Sequence, residues 1–152
     1  MSQKITPCLW LDDRTEEAAN YYARIFKGKV IDVSRYPDGR PLLAVVELFG
    51  QRYQILNGGP NFPFTEAVSF SVDCKDQAEV DYYWDALIAD GGEESQCAWL
   101  KDKYGLSWQI VPEIMPRVLG SADRAAAGRA MQAMMQMRKI IVADIEKAYA
   151  GG

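Results

Sequence analysis

Apolar and polar positions follow one another along the first 60 residues in a pattern that predicts four strands and one amphipathic helix. The helical spacing covers residues 15–26, and the strand-like stretches are 5–11, 30–36, 42–49 and 52–56. Gly28 follows the helix, and Pro37-Asp38-Gly39 has the composition of a tight turn. This segment, residues 1–60, is therefore predicted to form a β-α-β-β-β module.

The same order begins again after the break at residues 57–60. A strand is predicted at 67–72, a helix at 75–90, and strands at 95–101 and 106–111. Gly91 and Gly92 end the second helix, and the strand that follows them has the weakest signal. We therefore predict a second module of the same kind over residues 65–113.

Local sequence similarity supports a duplication. Residues 49–56 (FGQRYQIL) align with residues 104–111 (YGLSWQIV), and residues 20–22 (NYY) align with residues 81–83 (DYY). The alternative is chance similarity between amphipathic segments, but two separate matches occur in the same order. A repeat that occurs only twice predicts a pseudo-symmetric pair of modules rather than a solenoid.

The composition changes after Pro112, where Ala, Met, Lys and Arg become frequent. Apolar residues recur near helical spacing, so one long amphipathic helix is predicted over residues 120–150. They are Met131, Met134, Met135, Ile141, Val142 and Ile145. We expect this helix to pack on a sheet or on a second subunit; the alternative is that its methionines form a ligand-binding face.

Bulk composition limits the partners of the chain. It has 152 residues, 49% of them hydrophobic, and a net charge of −4, which suits one domain over residues 1–152. An acidic chain is a poor binder of nucleic acid or anionic membranes. The three cysteines are odd in number and scattered, which favours reduced thiols. No secretory signal or long apolar run occurs, so we expect a cytoplasmic protein.

Several motifs together resemble a known superfamily. They are the segments 5–12 (ITPCLWLD), 16–22 (EEAANYY), 57–60 (NGGP), 97–109 (CAWLKDKYGLSWQ), 134–140 (MMQMRKI) and 145–149 (IEKAY). The chain is similar to the vicinal oxygen chelate superfamily of glyoxalases, bleomycin resistance proteins and dioxygenases, and closest to its PhnB-like branch. The resemblance implies an α+β fold in which two tandem βαβββ modules form a curved mixed sheet around a cavity. It also implies a homodimer.

The resemblance places metal ligands on the first and last strands of each module, but this chain lacks the usual ligands there. It contains no histidine. An alignment on the tyrosine pairs puts Pro7 and Ala67 at the first-strand positions and Gln54 and Gln109 at the last-strand positions. Pro and Ala cannot bind a metal, and a neutral amide is a poor ligand for a catalytic divalent ion. We therefore expect no metal and no other cofactor.

The two glutamines are candidate ligand-binding residues. If the pseudo-symmetry holds, Gln54 and Gln109 face each other across the cavity and can orient a polar molecule. The alternative is that both amides bond only to other protein groups. Further candidates for the cavity lining are Pro7, Leu9, Phe49 and Asn57. If Pro7 and Leu9 face the cavity, strand alternation places Trp10 under a helix.

Catalytic candidates are few. Glu47 is the best lone acid and would serve as a base, but an ordinary strand glutamate is the alternative. Asp102 is predicted to be a turn residue. Cys97 has no histidine partner, so a Cys-His nucleophile is excluded. Some PhnB-like relatives carry a ubiquinone-pathway methyltransferase label, yet this chain has no G-x-G-x-x-G loop after its first strand.

Three hypotheses follow. The first is a protein that binds a small neutral or cationic molecule without a metal. The second is a metal-independent enzyme of the same superfamily that uses Glu47 or another acid in the cavity. The third is a sequestering protein similar to the bleomycin binders, which the acidic charge favours. The sequence leaves open the ligand, any reaction, and whether the modules pair within one chain or between subunits.

Overall fold

A computed structural model describes residues 3–152 of the chain. The chain forms two compact units. The first ends at Phe64, and the second begins at Thr65. The second unit includes the C-terminal helices as well as the second predicted module. No helix in the described part of the chain is both long enough and apolar enough to cross a membrane.

The first unit contains one helix and a four-stranded mixed sheet. Its elements are β1 (Cys8–Leu11), α1 (Thr15–Ile25), β2 (Lys29–Arg35), β3 (Pro41–Leu48) and β4 (Gln51–Asn57). The strand order is β1-β4-β3-β2, and only the β1–β4 pair is parallel. The predicted β-α-β-β-β order of this module is confirmed.

Helix α1 covers one face of this sheet. Ala44, Val46 and Ile55 point toward the helix and are fully buried, as are Ala18 and Ala19 on the helix itself. Because successive side chains of a strand point to opposite faces, the residues between them point away from α1. We call this second surface the helix-free face; it carries Cys8, Val45 and Gln54, which lie side by side in the register of β1, β3 and β4.

The second unit repeats this topology. Its elements are β5 (Ser69–Cys74), α2 (Gln77–Ile88), β6 (Glu93–Glu94), β7 (Trp99–Lys101) and β8 (Ser107–Pro112). The strand order is β5-β8-β7-β6, again with one parallel pair, β5–β8. The fold class predicted from the duplication, an α+β chain of two βαβββ modules, is therefore confirmed.

The predicted strand at residues 95–101 is interrupted. Cys97 and Ala98 both have positive φ, at 57° and 78°, which is a costly backbone conformation for residues other than glycine. Their N–H groups donate to the carbonyls of Met137 and Arg138, each at 2.9 Å. These long-range bonds hold the turn, and only Trp99–Lys101 of the predicted stretch forms a strand.

The prediction of one long C-terminal helix is wrong. Three helices occupy this region: α3 (Ile114–Leu119), α4 (Arg124–Met135) and α5 (Val142–Ala150). The chain leaves the helical conformation after α4, where the carbonyls of Met137 and Arg138 accept the bonds from Cys97 and Ala98. The start of α5 is fixed by Gln77 of α2, whose amide donates to Ile140 O at 3.0 Å and accepts from Val142 N at 2.7 Å.

Candidate functional site

The helix-free face of the first sheet carries a cavity of about 470 Å³. Seven residues line it: Gln3, Thr6, Val45, Glu47, Gly50, Arg52 and Gln54. Arg52 and Gln54 are two residues apart on β4, so their side chains point to the same face of the sheet. The register of β3 and β4 sets Val45 beside Gln54 and Glu47 beside Arg52.

The side-chain amide of Gln54 is a polar group without a protein partner. The residue is half-buried, and its backbone N–H donates to the carbonyl of Pro7 at 2.8 Å. Among residues 3–152, however, no group hydrogen-bonds to its side chain, although the residue lines the cavity. An amide has two N–H donors and an acceptor oxygen, so Gln54 can bond to a molecule in the cavity.

Glu47 lies between two cations on the same face. Its carboxylate is 3.7 Å from Lys29 Nζ and 3.7 Å from Arg52 Nε, and its side chain is 26% exposed. Two positive charges and one negative charge leave a net charge of +1 at this point. A glutamate that forms ion pairs with the cations on the two neighbouring strands fits the alternative given above for Glu47, an ordinary strand glutamate rather than a catalytic base.

Arg52 is held through its backbone. Its N–H donates to Gln3 Oε1 at 2.8 Å, and its carbonyl accepts from Gln3 Nε2 at 2.9 Å. The Gln3 side chain thus bonds to β4 as a neighbouring strand would. Sequence reasoning missed Arg52, Thr6 and Gln3 as cavity residues. Period-two alternation from Gln54 would have identified Arg52, whereas no local signal identifies Gln3.

Two of the residues predicted to line the cavity lie on the other side of the sheet. Leu9 is only 8% exposed and pairs with Ile55 on the face that α1 covers. Asn57 is 6% exposed, and its amide donates to Asp13 Oδ1 at 2.8 Å and to Pro41 O at 2.9 Å. The Asn57 amide therefore bonds to protein groups on the helix side of the sheet and does not face the cavity.

Pro7 and Phe49 are not among the residues that line the first-sheet cavity. Pro7 precedes β1, and the structure shows a backbone role for it, because its carbonyl accepts from Gln54 N. Phe49 is 74% exposed in the turn between β3 and β4 and contacts Phe26 edge-on, with ring centroids 6.3 Å apart. The strand phase considered for Pro7 and Leu9 is corrected: Cys8 and Trp10 share the face of Gln54.

The glycine pair after β4 makes room for the Trp10 side chain and hydrogen-bonds to it. The indole N–H of Trp10 donates to Gly59 O at 3.0 Å, and its ring contacts Phe62 edge-on at 5.0 Å. A Cβ atom added to Gly58 would lie 2.3 Å from the Trp10 ring. Only glycine allows this approach, so the Asn57-Gly58-Gly59-Pro60 motif packs against an aromatic side chain.

In the second sheet, the equivalent glutamine has a partner. Gln109 Nε2 donates to Ser69 Oγ at 2.9 Å, so its amide is already bonded in part. Ser71 of β5 and Trp99 of β7 lie beside Gln109 in the sheet register. Ala67, which the tyrosine alignment placed at the first-strand position, precedes β5 altogether. That Gln54 and Gln109 face each other across one cavity stays a prediction.

Asp102 is confirmed as a turn residue. It is buried between β7 and β8, where Oδ1 accepts from the backbone N–H groups of Tyr104 at 2.9 Å and Leu106 at 3.1 Å. Its other oxygen, Oδ2, accepts from Trp108 Nε1 at 2.9 Å. One carboxylate thus holds the turn and a core tryptophan together.

Metal-ligating and nucleophilic groups are sparse in the described part of the chain. Residues 3–152 contain no group of three or more His, Cys, Asp or Glu side chains placed to hold a metal ion. All three cysteines are free. Burial raises the pKa of the Cys74 thiol to about 12, helped by the nearby carboxylates of Glu79, Asp73 and Asp76, and burial also raises the pKa of Cys8.

Comparison with known proteins identifies the family. A family model described as 3-demethylubiquinone-9 3-methyltransferase matches residues 3–111. A solved PhnB protein from Bacillus cereus, described as a putative 3-demethylubiquinone-9 3-methyltransferase, has 31% identity and a TM-score of 0.67. The match covers 72% of this chain and 99% of that protein. The chain belongs to this PhnB-like family.

More distant structures show the same fold as this PhnB-like chain. The fosfomycin resistance protein FosX from Listeria monocytogenes has 16% identity and a TM-score of 0.56, covering 73% of this chain and 93% of that protein. A glyoxalase-related enzyme from Fulvimarina pelagi has 17% identity and a TM-score of 0.54, covering 74% and 88%. No curated protein matches the sequence. The predicted PhnB-like family is confirmed, and these more distant structures share its fold.

Proposed function

We propose that this PhnB-like protein binds a small organic molecule in the cavity of its first sheet, with the Gln54 amide as the main hydrogen-bonding anchor. The observation that carries the proposal is the half-buried Gln54 amide, which has no hydrogen-bond partner among residues 3–152 and lines a cavity of about 470 Å³. Ligand cavities commonly have volumes of about 300–1,000 Å³ and a few well-placed polar groups.

The proposed binding needs no metal. Metal-chelating members of the superfamily are expected to carry a glutamate where this chain has Gln54. A glutamine at that position keeps the direction of the side chain but exchanges a metal ligand for a neutral donor and acceptor. We therefore propose that hydrogen bonds from the Gln54 amide, rather than a metal ion, orient the ligand.

Binding is favoured over catalysis by the surroundings of Glu47. Glu47, the only acid among the described residues that line the cavity, has a cation at 3.7 Å on each side, and its carboxylate accepts no hydrogen bond from a described residue. The methyltransferase in the family description is not part of the proposal. Both sheets are mixed and four-stranded, unlike the doubly wound parallel sheets that bind nucleotide cofactors.

Native mass spectrometry of protein purified from its own cells tests this proposal. The wild-type chain and two variants, Gln54→Leu and Gln109→Leu, would be compared for a retained small-molecule mass. Gln109→Leu is the matched control, since it removes a strand amide that already bonds to Ser69. We expect the retained mass in the wild type and in Gln109→Leu, and its loss in Gln54→Leu. Retention in Gln54→Leu, or no retained mass in any sample, would contradict the proposal.

A further inference from the structure

We infer that the ligand of the first-sheet cavity carries an oxyanion, a carboxylate or phosphate group, which binds the guanidinium of Arg52. This inference rests on the proposed function, because it names the chemical class of a molecule bound beside Gln54. It replaces the earlier expectation of a neutral or cationic ligand, which came from the acidic net charge of the whole chain.

The local charge has the opposite sign to that of the whole chain. Lys29 and Arg52 both lie 3.7 Å from the carboxylate of Glu47 on the helix-free face. Lys29 flanks the cavity lining and shares the single carboxylate of Glu47 with Arg52, so this group of three residues keeps one positive charge. A cationic ligand would approach an excess of like charge, whereas an anion would complete the neutralisation.

The guanidinium of Arg52 has unused donors. Its ion pair with Glu47 is longer than a charge-assisted hydrogen bond, which is typically about 2.7–2.9 Å. No group within residues 3–152 accepts a hydrogen bond from this side chain, which is 55% exposed. Five N–H donors in a planar fork match the two oxygens of a carboxylate or phosphate.

The positions of Arg52 and Gln54 give such a ligand two anchors. The residues are two apart on β4, so their side chains leave the sheet roughly 7 Å from each other on one face. An oxyanion on Arg52 therefore leaves the body of a small molecule over Val45 and within reach of the Gln54 amide. The two hydrogen bonds with Gln3 fix the backbone of Arg52. They therefore reduce the conformational entropy that is lost when a ligand binds.

Four aromatic probes of similar shape and different charge test the inference. Benzoate and phenyl phosphate are the two oxyanions, benzamide is neutral, and benzamidinium is a cation. Amide chemical shifts of residues 45–54 would be followed while each probe is added up to about 10 mM at low salt, where a dissociation constant of 1 mM corresponds to about −4 kcal/mol. We expect at least one oxyanion to bind about fivefold or more tightly than benzamide, and benzamidinium to bind most weakly.

Two variants give opposite expected effects. Arg52→Met keeps an unbranched stem but removes the guanidinium, so the preference for an oxyanion over benzamide should disappear. Glu47→Gln removes the competing carboxylate and raises the local charge from +1 to +2, so the oxyanion should bind severalfold more tightly. Arg52→Lys is the matched control: it keeps the charge without the planar fork and should retain part of the preference.

The outcomes separate the ligand class from the binding function. If benzamide or benzamidinium shifts the Gln54 signals as strongly as the oxyanions do, the cavity binds small molecules but the oxyanion assignment is wrong. If Glu47→Gln weakens oxyanion binding, the charge argument is wrong. Absence of any shift with all four probes also overturns the inference, while the proposed function is judged separately by the mass retained from cells. A difference between benzoate and phenyl phosphate identifies which oxyanion the site prefers.

Discussion

Replacing Asp102 should show how much one buried carboxylate contributes to the second unit. Asp102→Ala removes the acceptor of three N–H groups, from Tyr104, Leu106 and the indole of Trp108. Hydrogen bonds to a charged group contribute about 1.5–3 kcal/mol each, but the sum overestimates the loss because water reaches part of a disrupted turn. We expect the free energy of unfolding to fall by about 4 kcal/mol, a large part of a typical total of about 5–15 kcal/mol.

Asp102→Asn should cost less, about 2 kcal/mol, because one oxygen can still accept from the two backbone N–H groups while the new NH₂ faces the Trp108 donor. Urea unfolding followed by tryptophan fluorescence and by circular dichroism measures both variants. Asp38→Ala is the matched control: Asp38 is an exposed turn aspartate that accepts from Arg40 N at 3.0 Å, and its loss should change little. An Asp102→Ala variant no less stable than Asp38→Ala would refute this structural role of Asp102.

Three further predictions concern packing, the C-terminal helices and the thiols. Gly58→Ala should lower the free energy of unfolding by about 2 kcal/mol, because the new methyl group overlaps the Trp10 ring, whereas Gly128→Ala, in open space, should be neutral or stabilising. Gln77→Ala should speed hydrogen exchange in α5 about tenfold or more, because two bonds to the start of that helix are lost; unchanged exchange would contradict that role. The exposed Cys8 should react with a thiol reagent at pH 7 about tenfold or more faster than Cys74, which is buried and has a pKa near 12; mass spectrometry of the labelled peptides decides.

The duplication could be predicted from the sequence because both modules use the same local patterns. Strand alternation and helix spacing are set by neighbouring residues, and the aromatic-Gln-Ile segments occupy equivalent strands, β4 and β8. Alternation alone does not state which face meets the helix. For this reason Leu9 was assigned to the wrong face of the sheet. Its burial against α1 depends on its pairing with Ile55.

Long-range bonds account for the features that could not be predicted. Nothing local in residues 136–141 ends a helix; the break depends on donors at Cys97, Ala98 and Gln77, far away in the sequence. The difference between the two glutamines has the same origin. Gln54 and Gln109 occupy matching positions of the repeat and of the β1–β4 and β5–β8 registers, but only the Gln109 amide bonds to a hydroxyl, that of Ser69.

The most direct test of the central claim is a crystal structure of the protein purified from its own cells without added ligand. We expect electron density for an organic molecule in the first-sheet cavity, within hydrogen-bond distance of the Gln54 amide and with an oxyanion on Arg52. A cavity that holds only disordered water, or one closed by the side chains of Glu47 and Arg52, would contradict it.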